Sequence, residues 1–151
     1  MANDQNSTHE AIARLFNEQR LATLATIATD APYCNLVAFT SSDDLKTIMF
    51  CTPRTSTKYG NIVKNPNVSF LIDSRTRSGT DPQAGMAVTA IGSVVDVLGQ
   101  PEDDLKSRHA ERHAQFKDFI YSLDCALVQV RVQRYILVSS LRDVSVLEIR
   151  A

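Results

Sequence analysis

The chain has 151 residues, within the roughly 100 to 150 residues of a common domain, so one domain over residues 1–151 is expected. Apolar residues make up 44% and charged residues 22%, and 16 Lys+Arg against 17 Asp+Glu leave a net charge of −1. This balance excludes a disordered chain and a broad electrostatic grip on nucleic acid. No run nears the ~18 apolar residues of a membrane span, and the polar start Met1 to Thr8 has no signal-peptide core, so a cytoplasmic protein is expected.

Ser7 and Glu10 have capping-box spacing, and Ile12, Leu15 and Phe16 recur at helical intervals, which predicts an amphipathic helix over 8–19. Leu21 to Ala28 and Tyr33 to Thr40 read as a hairpin around Thr29-Asp30-Ala31-Pro32. Ser41 to Asp44 makes a second turn, and Thr47 to Thr52 a third strand that Pro53 ends. A short helix over Thr55–Lys64 stops at Asn65-Pro66-Asn67, before a strand from Val68 to Asp73.

Residues 74 to 84 read as an exposed loop. Met86 to Leu98 is a long strand in which Gly92 marks a bulge or bend. Pro101, with Glu102, Asp103 and Asp104 behind it, opens a helical stretch reaching about Leu123 with a break. Ala126–Val132, Tyr135–Ser139 and Val144–Ile149 read as three closing strands. Mostly sequential strands with peripheral helices make an α+β, mainly β, small antiparallel barrel.

Cys34, Cys51 and Cys125 are odd in number and widely spaced, so they read as small buried hydrophobes rather than a disulfide framework or metal site. The five glycines spell no phosphate-binding loop. Asp43-Asp44 and Asp103-Asp104 read as a turn and a helix start, not paired catalytic carboxylates. No metal site is expected.

Chemistry concentrates in Thr52-Pro53-Arg54-Thr55-Ser56-Thr57-Lys58, where two cations and four hydroxyls meet at a strand-to-helix junction. Arg offers a planar fork, Lys a compact charge, and the first helical amides point toward an anion. The same residues would also make an ordinary solvated turn with a Ser/Thr cap. The adjacent strand Asn35-Leu36-Val37-Ala38-Phe39 could wall a flat ring whose edges are read by main-chain groups.

From about residue 20 to 138 the sequence resembles the pyridoxamine 5′-phosphate oxidase-like split-barrel flavoproteins. The resemblance is carried by Leu21-Ala22-Thr23-Leu24-Ala25-Thr26, Pro32-Tyr33-Cys34-Asn35-Leu36-Val37, Phe50-Cys51-Thr52 with Ser56-Thr57-Lys58, and Asn61-Ile62 with Asn65-Pro66-Asn67-Val68-Ser69. It implies FMN at a homodimer interface and an oxidoreductase acting on a small molecule, with neither nucleic acid nor membrane as partner. It implies that Asn35, Leu36, Val37, Ala38, Phe39 and Thr40 lie along the isoalloxazine. Thr52, Ser56, Thr57 and Lys58 would handle ribityl and phosphate. Thr57 stands where the family commonly has Arg, and Arg54 is the candidate source of that charge.

The chain lacks Trp, and with it the C-terminal Trp-and-Arg signature of the authentic oxidase, so oxidation of pyridoxamine phosphate is not expected. Met86-Ala87-Val88-Thr89-Ala90-Ile91 lacks the family's flavin-contacting glutamine. Phe116 to Tyr121 and Leu127 to Val130 resemble the haem-utilisation branch of the same superfamily, though Ser139-Ser140-Leu141 replaces its Gly-Phe-Gly turn. His109 and His113 could ligate haem iron, but Arg108-His109-Ala110-Glu111-Arg112-His113 reads chiefly as a charged solvent face. A flavin-binding module without turnover is a further alternative.

Overall fold

Among the described residues seven strands run in the order β3-β2-β1-β4-β5-β6-β7, and β3 also pairs with β6, so the first six close into an antiparallel barrel and β7 lies outside the closure. The computed structural model describes residues 2–74, 85–96, 103–140 and 142–151. The strands are β1 (Leu21–Ile27), β2 (Pro32–Ser41), β3 (Thr47–Pro53), β4 (Asn67–Asp73), β5 (Met86–Asp96), β6 (Cys125–Ser139) and β7 (Asp143–Glu148). The helices are α1 (Ala2–Glu18), α2 (Thr57–Lys64), α3 (Asp103–Arg112) and α4 (Lys117–Ile120), with a 3-10 turn at Ala114–Phe116. The expected α+β barrel is therefore present. The loop expected at 74–84 falls, from residue 75 onward, outside the described residues, as do Pro101 and Glu102.

Alternation builds the barrel. Ala22, Leu24 and Thr26 of β1 point inward beside Val68, Phe70 and Ile72 of β4, while Val128, Val130 and Val132 of β6 close the far wall. Each large apolar side chain taken from water stabilises by about 1.5 to 3 kcal/mol. Helix α1 lays Ile12, Leu15 and Phe16 against this core, and the Phe16 ring meets Phe39 and Tyr135 edge-on at 5.4 and 5.7 Å. The helix begins earlier than expected, because Ser7 is not its cap. The Ser7 and Thr8 hydroxyls donate back to the Asp4 carbonyl at 3.1 and 2.7 Å, a helix-interior pattern.

Helix α2 starts at Thr57 rather than Thr55 because Ser56 is extended and accepts the Tyr59 amide at 3.2 Å, a side-chain N-cap. It ends at Asn65, held extended by the following Pro66. Gly92 sits where the β5–β6 register shifts, as expected of a bulge; a Cβ there would lie 2.5 Å from the Arg131 carbonyl oxygen. At the β2–β3 turn, Leu45 adopts φ 60° and is buried, and its carbonyl accepts the Tyr135 hydroxyl at 2.7 Å.

Two expectations are corrected. The segments 126–132 and 135–139 form one strand, because Gln133-Arg134 carries no turn chemistry. These residues mark a change of neighbour instead: β6 pairs with β3 along Cys125–Arg131 and with β7 along Arg134–Ser139. The segment Arg108–His113 is not a solvent face either. His109 and His113 are each 1% exposed, and α3 packs this side of itself onto β2 and β3, burying Leu105 and Ala110 as well.

Candidate functional site

β2 and β3 separate part-way along their length. They pair only at Phe39↔Phe50, Thr40↔Met49 and Ser41↔Ile48, although β2 begins at Pro32 and β3 continues to Pro53. Beyond Phe39 the β1 register holds β2 from Ala38 to Pro32, while β6 holds β3 from Phe50 to Pro53. Among the described residues, no strand covers the main-chain edge of Asn35–Ala38 that faces away from β1. Helix α2 leaves the end of β3 and is anchored two strands away: the buried Asn61 side-chain amide donates to Thr26 of β1 at 3.0 Å. It therefore packs against β1 and β3, the strands on either side of β2.

At that junction the buried Thr52 and the half-buried Ser56 share a 2.6 Å hydroxyl–hydroxyl hydrogen bond, so Ser56 both caps α2 and is braced from β3. Thr57 is exposed. Lys58 is half-buried, and burial holds its ammonium below the ordinary lysine range. Among the described residues no carboxylate lies within salt-bridge distance of it. Arg54 is already engaged: its guanidinium donates to the Cys125 carbonyl at 3.3 Å and leans over the Tyr59 ring at 6.0 Å.

Along β2 the side chains divide by parity. Val37 and Phe39 point into the core, so only their main-chain groups could meet a ligand. Leu36, 65% exposed, and Ala38 face outward. Thr40 is buried and shares a hydrogen bond of 2.7 Å with His109 Nδ1. Asn35, of the same parity as Val37 and Phe39 and opposite the buried Leu24 of β1, carries a buried Oδ1 with no protein partner among the described residues.

The sequence did not disclose the role of the histidines. His113 Nε2 donates to the Phe39 carbonyl at 2.8 Å, and the two imidazoles stand 4.7 Å apart, edge to face. Burial holds both in the neutral form, and His109 falls to about 3 with His113 and Arg112 adding to the effect. They brace β2 from behind and are committed to that contact. The cysteines differ from expectation at Cys34, which is exposed, whereas Cys51 is half-buried and Cys125 buried. Among the described residues no cluster of His, Cys, Asp and Glu could hold a metal ion, and no helix is long and apolar enough to cross a membrane.

On the outer face of β2-β1-β4, Leu36 and Leu71 flank Thr23 from either side, and Leu21 stands beside them, leaving three apolar side chains exposed together. A cavity of about 360 Å³ opens among them and Glu18, Arg20 and Asp73. A larger one, about 580 Å³, lies at the opposite end of β3 from the junction, among Lys46, Arg108, Arg131 and Arg150.

Known structures share this architecture. A heme binding protein from Mycobacterium smegmatis superposes with a TM-score of 0.78 at 22% identity, covering 90% of this chain and 56% of its own, so this chain spans little more than half of it. General Stress Protein 26 from Bacillus anthracis gives 0.72 at 19% identity over 94% and 98% of the two chains. HutZ, the heme storage protein from Vibrio cholerae, gives 0.69 at 17% identity over 87% and 93%. No curated protein matches the chain. The family model for pyridoxamine 5′-phosphate oxidase matches residues 8–139, which hold all six barrel strands, and the chain thus belongs to the pyridoxamine 5′-phosphate oxidase-like split-barrel family.

Proposed function

We propose that the chain is a cytoplasmic, homodimeric FMN-binding protein and an oxidoreductase toward a small molecule. The observation that carries this reading is the split itself: β2 leaves a main-chain edge at Asn35–Ala38 that no strand covers among the described residues, and β3, its neighbour at Phe39–Ser41, runs on to a helix junction bearing Ser56, Thr57 and Lys58. The residues fit the group. A planar ring can be read by the N–H and C=O groups of Asn35–Ala38 that no strand pairs among the described residues. A phosphate dianion suits the unpaired Lys58 ammonium and the first amides of α2. Bound flavin would supply the redox chemistry; the protein's part is to orient the ring, hold the phosphate and exclude water.

The second subunit follows from the open edge. One barrel covers a single side of such a ring, and the apolar outer face with Leu21, Leu36 and Leu71 supplies a surface for a second copy. A visible absorption spectrum and fluorescence quenching of added FMN test the reading. Yellow protein, or quenching that saturates near one FMN per chain, supports it; a colourless protein that leaves FMN fluorescence unchanged overturns it.

Haem is a second reading, favoured by the names of two structurally similar proteins, a heme binding and a heme storage protein. His109 and His113 do not support it as ligands, since both are buried and spent on β2. Hemin titration separates the two. A sharp, saturable Soret band with no FMN binding favours haem, and a flavin-binding protein that accelerates no electron transfer with any nicotinamide donor is a non-catalytic module.

A further inference from the structure

Strand β6 changes neighbours between Arg131, the last residue paired with β3, and Arg134, the first paired with β7. Val132 and Gln133 fall in the gap and hold the diverging chains by one bond each: the Val132 amide donates to the Lys46 carbonyl, and the Gln133 carbonyl accepts the Ile149 amide, both at 2.9 Å. The β2–β3 turn leaves on one side and the tail after β7 on the other, with α3 alongside, and the cavity of about 580 Å³ opens between them. That volume lies within the roughly 300 to 1,000 Å³ of small-molecule sites.

Four cations from four separate segments border it: Lys46 of the turn, Arg108 of α3, Arg131 of β6 and Arg150 of the tail. Arg108 is engaged, its guanidinium donating to the Asp43 carboxylate at 3.0 Å and the Ser41 carbonyl at 3.4 Å. The side chains of Lys46, Arg131 and Arg150 have no hydrogen bond or ion pair among the described residues. Of the carboxylates at the cavity, Asp44 is spent on the turn, where its Oδ1 accepts the Ser42 hydroxyl at 2.6 Å and the Lys46 amide at 3.0 Å. Asp104 and the main-chain carboxylate of Ala151 are the remaining negative groups, so three uncommitted cations face two uncommitted anions.

We propose that this notch is a binding site for a small polyanion, a molecule bearing two or more carboxylate or phosphate groups, separate from the flavin site at the other end of β3. The guanidinium forks of Arg131 and Arg150 suit a planar carboxylate or two phosphate oxygens, and the Lys46 ammonium adds a compact charge. Gln129 and Gln133, on the same outer face of β6 as Arg131, offer amide donors, while Leu105 and Ile149 supply an apolar wall for the ligand's carbon atoms. Cations gathered in a cleft focus the field and concentrate anions there. A ligand that bridges Lys46, Arg131 and Arg150 ties the turn, β6 and the tail together, beyond the two single bonds at Val132 and Gln133.

The test is calorimetric titration of the full chain with citrate and with pyrophosphate, at an ionic strength held constant with sodium chloride, beside acetate as a singly charged control. The expected result is a saturable site for citrate, pyrophosphate or both, at least about ten-fold tighter than for acetate; which of the two binds names the anionic group. Arg131→Gln and Arg150→Gln each remove an exposed guanidinium with no protein partner among the described residues, so both should keep the wild-type Tm, and each should weaken binding about ten-fold or more. The site should persist in Lys58→Ala, and Arg131→Gln should bind FMN as wild type does, so the result stands apart from the flavin reading. No saturable binding of either polyanion, unchanged affinity in either Arg variant, or binding that disappears in Lys58→Ala would overturn the proposal.

Discussion

The Thr40 hydroxyl and His109 Nδ1 share a 2.7 Å hydrogen bond between two buried side chains 69 residues apart, and this bond fastens α3 to the back of β2. Burial keeps that imidazole neutral. A histidine whose folded pKa lies below the unfolded value of 6.5 binds fewer protons when folded, so stability is fully present above pH 6.5 and is lost as pH falls toward about 3. His113, also lowered, acts in the same direction. Each such site lowers stability by up to about 1.4 kcal/mol per pH unit within that window. Urea unfolding at pH 7.5, 6 and 5 should show a falling midpoint, steep below about pH 6. A midpoint that stays level down to pH 5 contradicts the neutral buried pair.

Lys58→Ala should weaken FMN about ten-fold to a hundred-fold, the loss of one charge-assisted hydrogen bond worth about 1.5 to 3 kcal/mol. Riboflavin, lacking the phosphate, should bind both proteins alike. Arg54→Ala should cost less, because that guanidinium is already bonded to the Cys125 carbonyl. Equal FMN affinity in wild type and Lys58→Ala, measured by fluorescence quenching at fixed salt, returns the junction to a plain helix cap.

Asn61→Ala strips the buried Thr26 hydroxyl of its donor and unties α2 from β1. The expected destabilisation is about 1 to 3 kcal/mol. In Thr26→Val the same Asn61 amide is left stranded, so the two changes combined should cost clearly less than their sum. Additive effects in denaturant titrations would show that the pair is not coupled.

Gly92→Ala must push against the Arg131 carbonyl at 2.5 Å and Val130 Cγ1 at 2.8 Å, and the first of these is backbone. Destabilisation of about 1 to 3 kcal/mol is expected, read as a fall in Tm. An unchanged Tm would mean that the β5–β6 bulge yields freely.

The strands were legible because their side chains alternate against a closed core, and helix α2 because Asn65-Pro66 stops it, although its start was read two residues early. Less legible were features that depend on distant partners. Arg108–His113 carries three charged residues and looks solvated, yet the two imidazoles share one helix face and find Thr40 and the Phe39 carbonyl far away in sequence. Gln133-Arg134 looks like a break because its polarity signals exposure, whereas the cause is a handover between neighbouring strands. At the candidate site, the hydroxyls and cations of the junction were readable, but the splaying of β2 from β3 is a property of pairing register, and no local pattern records it.

That handover along β6 also separates two kinds of opening motion. On the edge of β6 turned away from β5, the alternate amides of Arg134–Ser139 face β7 while those of Cys125–Arg131 face β3, and Gln133 accepts the Ile149 amide at 2.9 Å just between. Fraying of β7 can therefore admit solvent to one half of β6 and leave the closing seam intact. Hydrogen–deuterium exchange should divide this single strand into a fast C-terminal half and a slow N-terminal half, with the boundary at Gln133. A strand that is continuous in geometry would then belong to two cooperative units, only one of which holds the barrel shut.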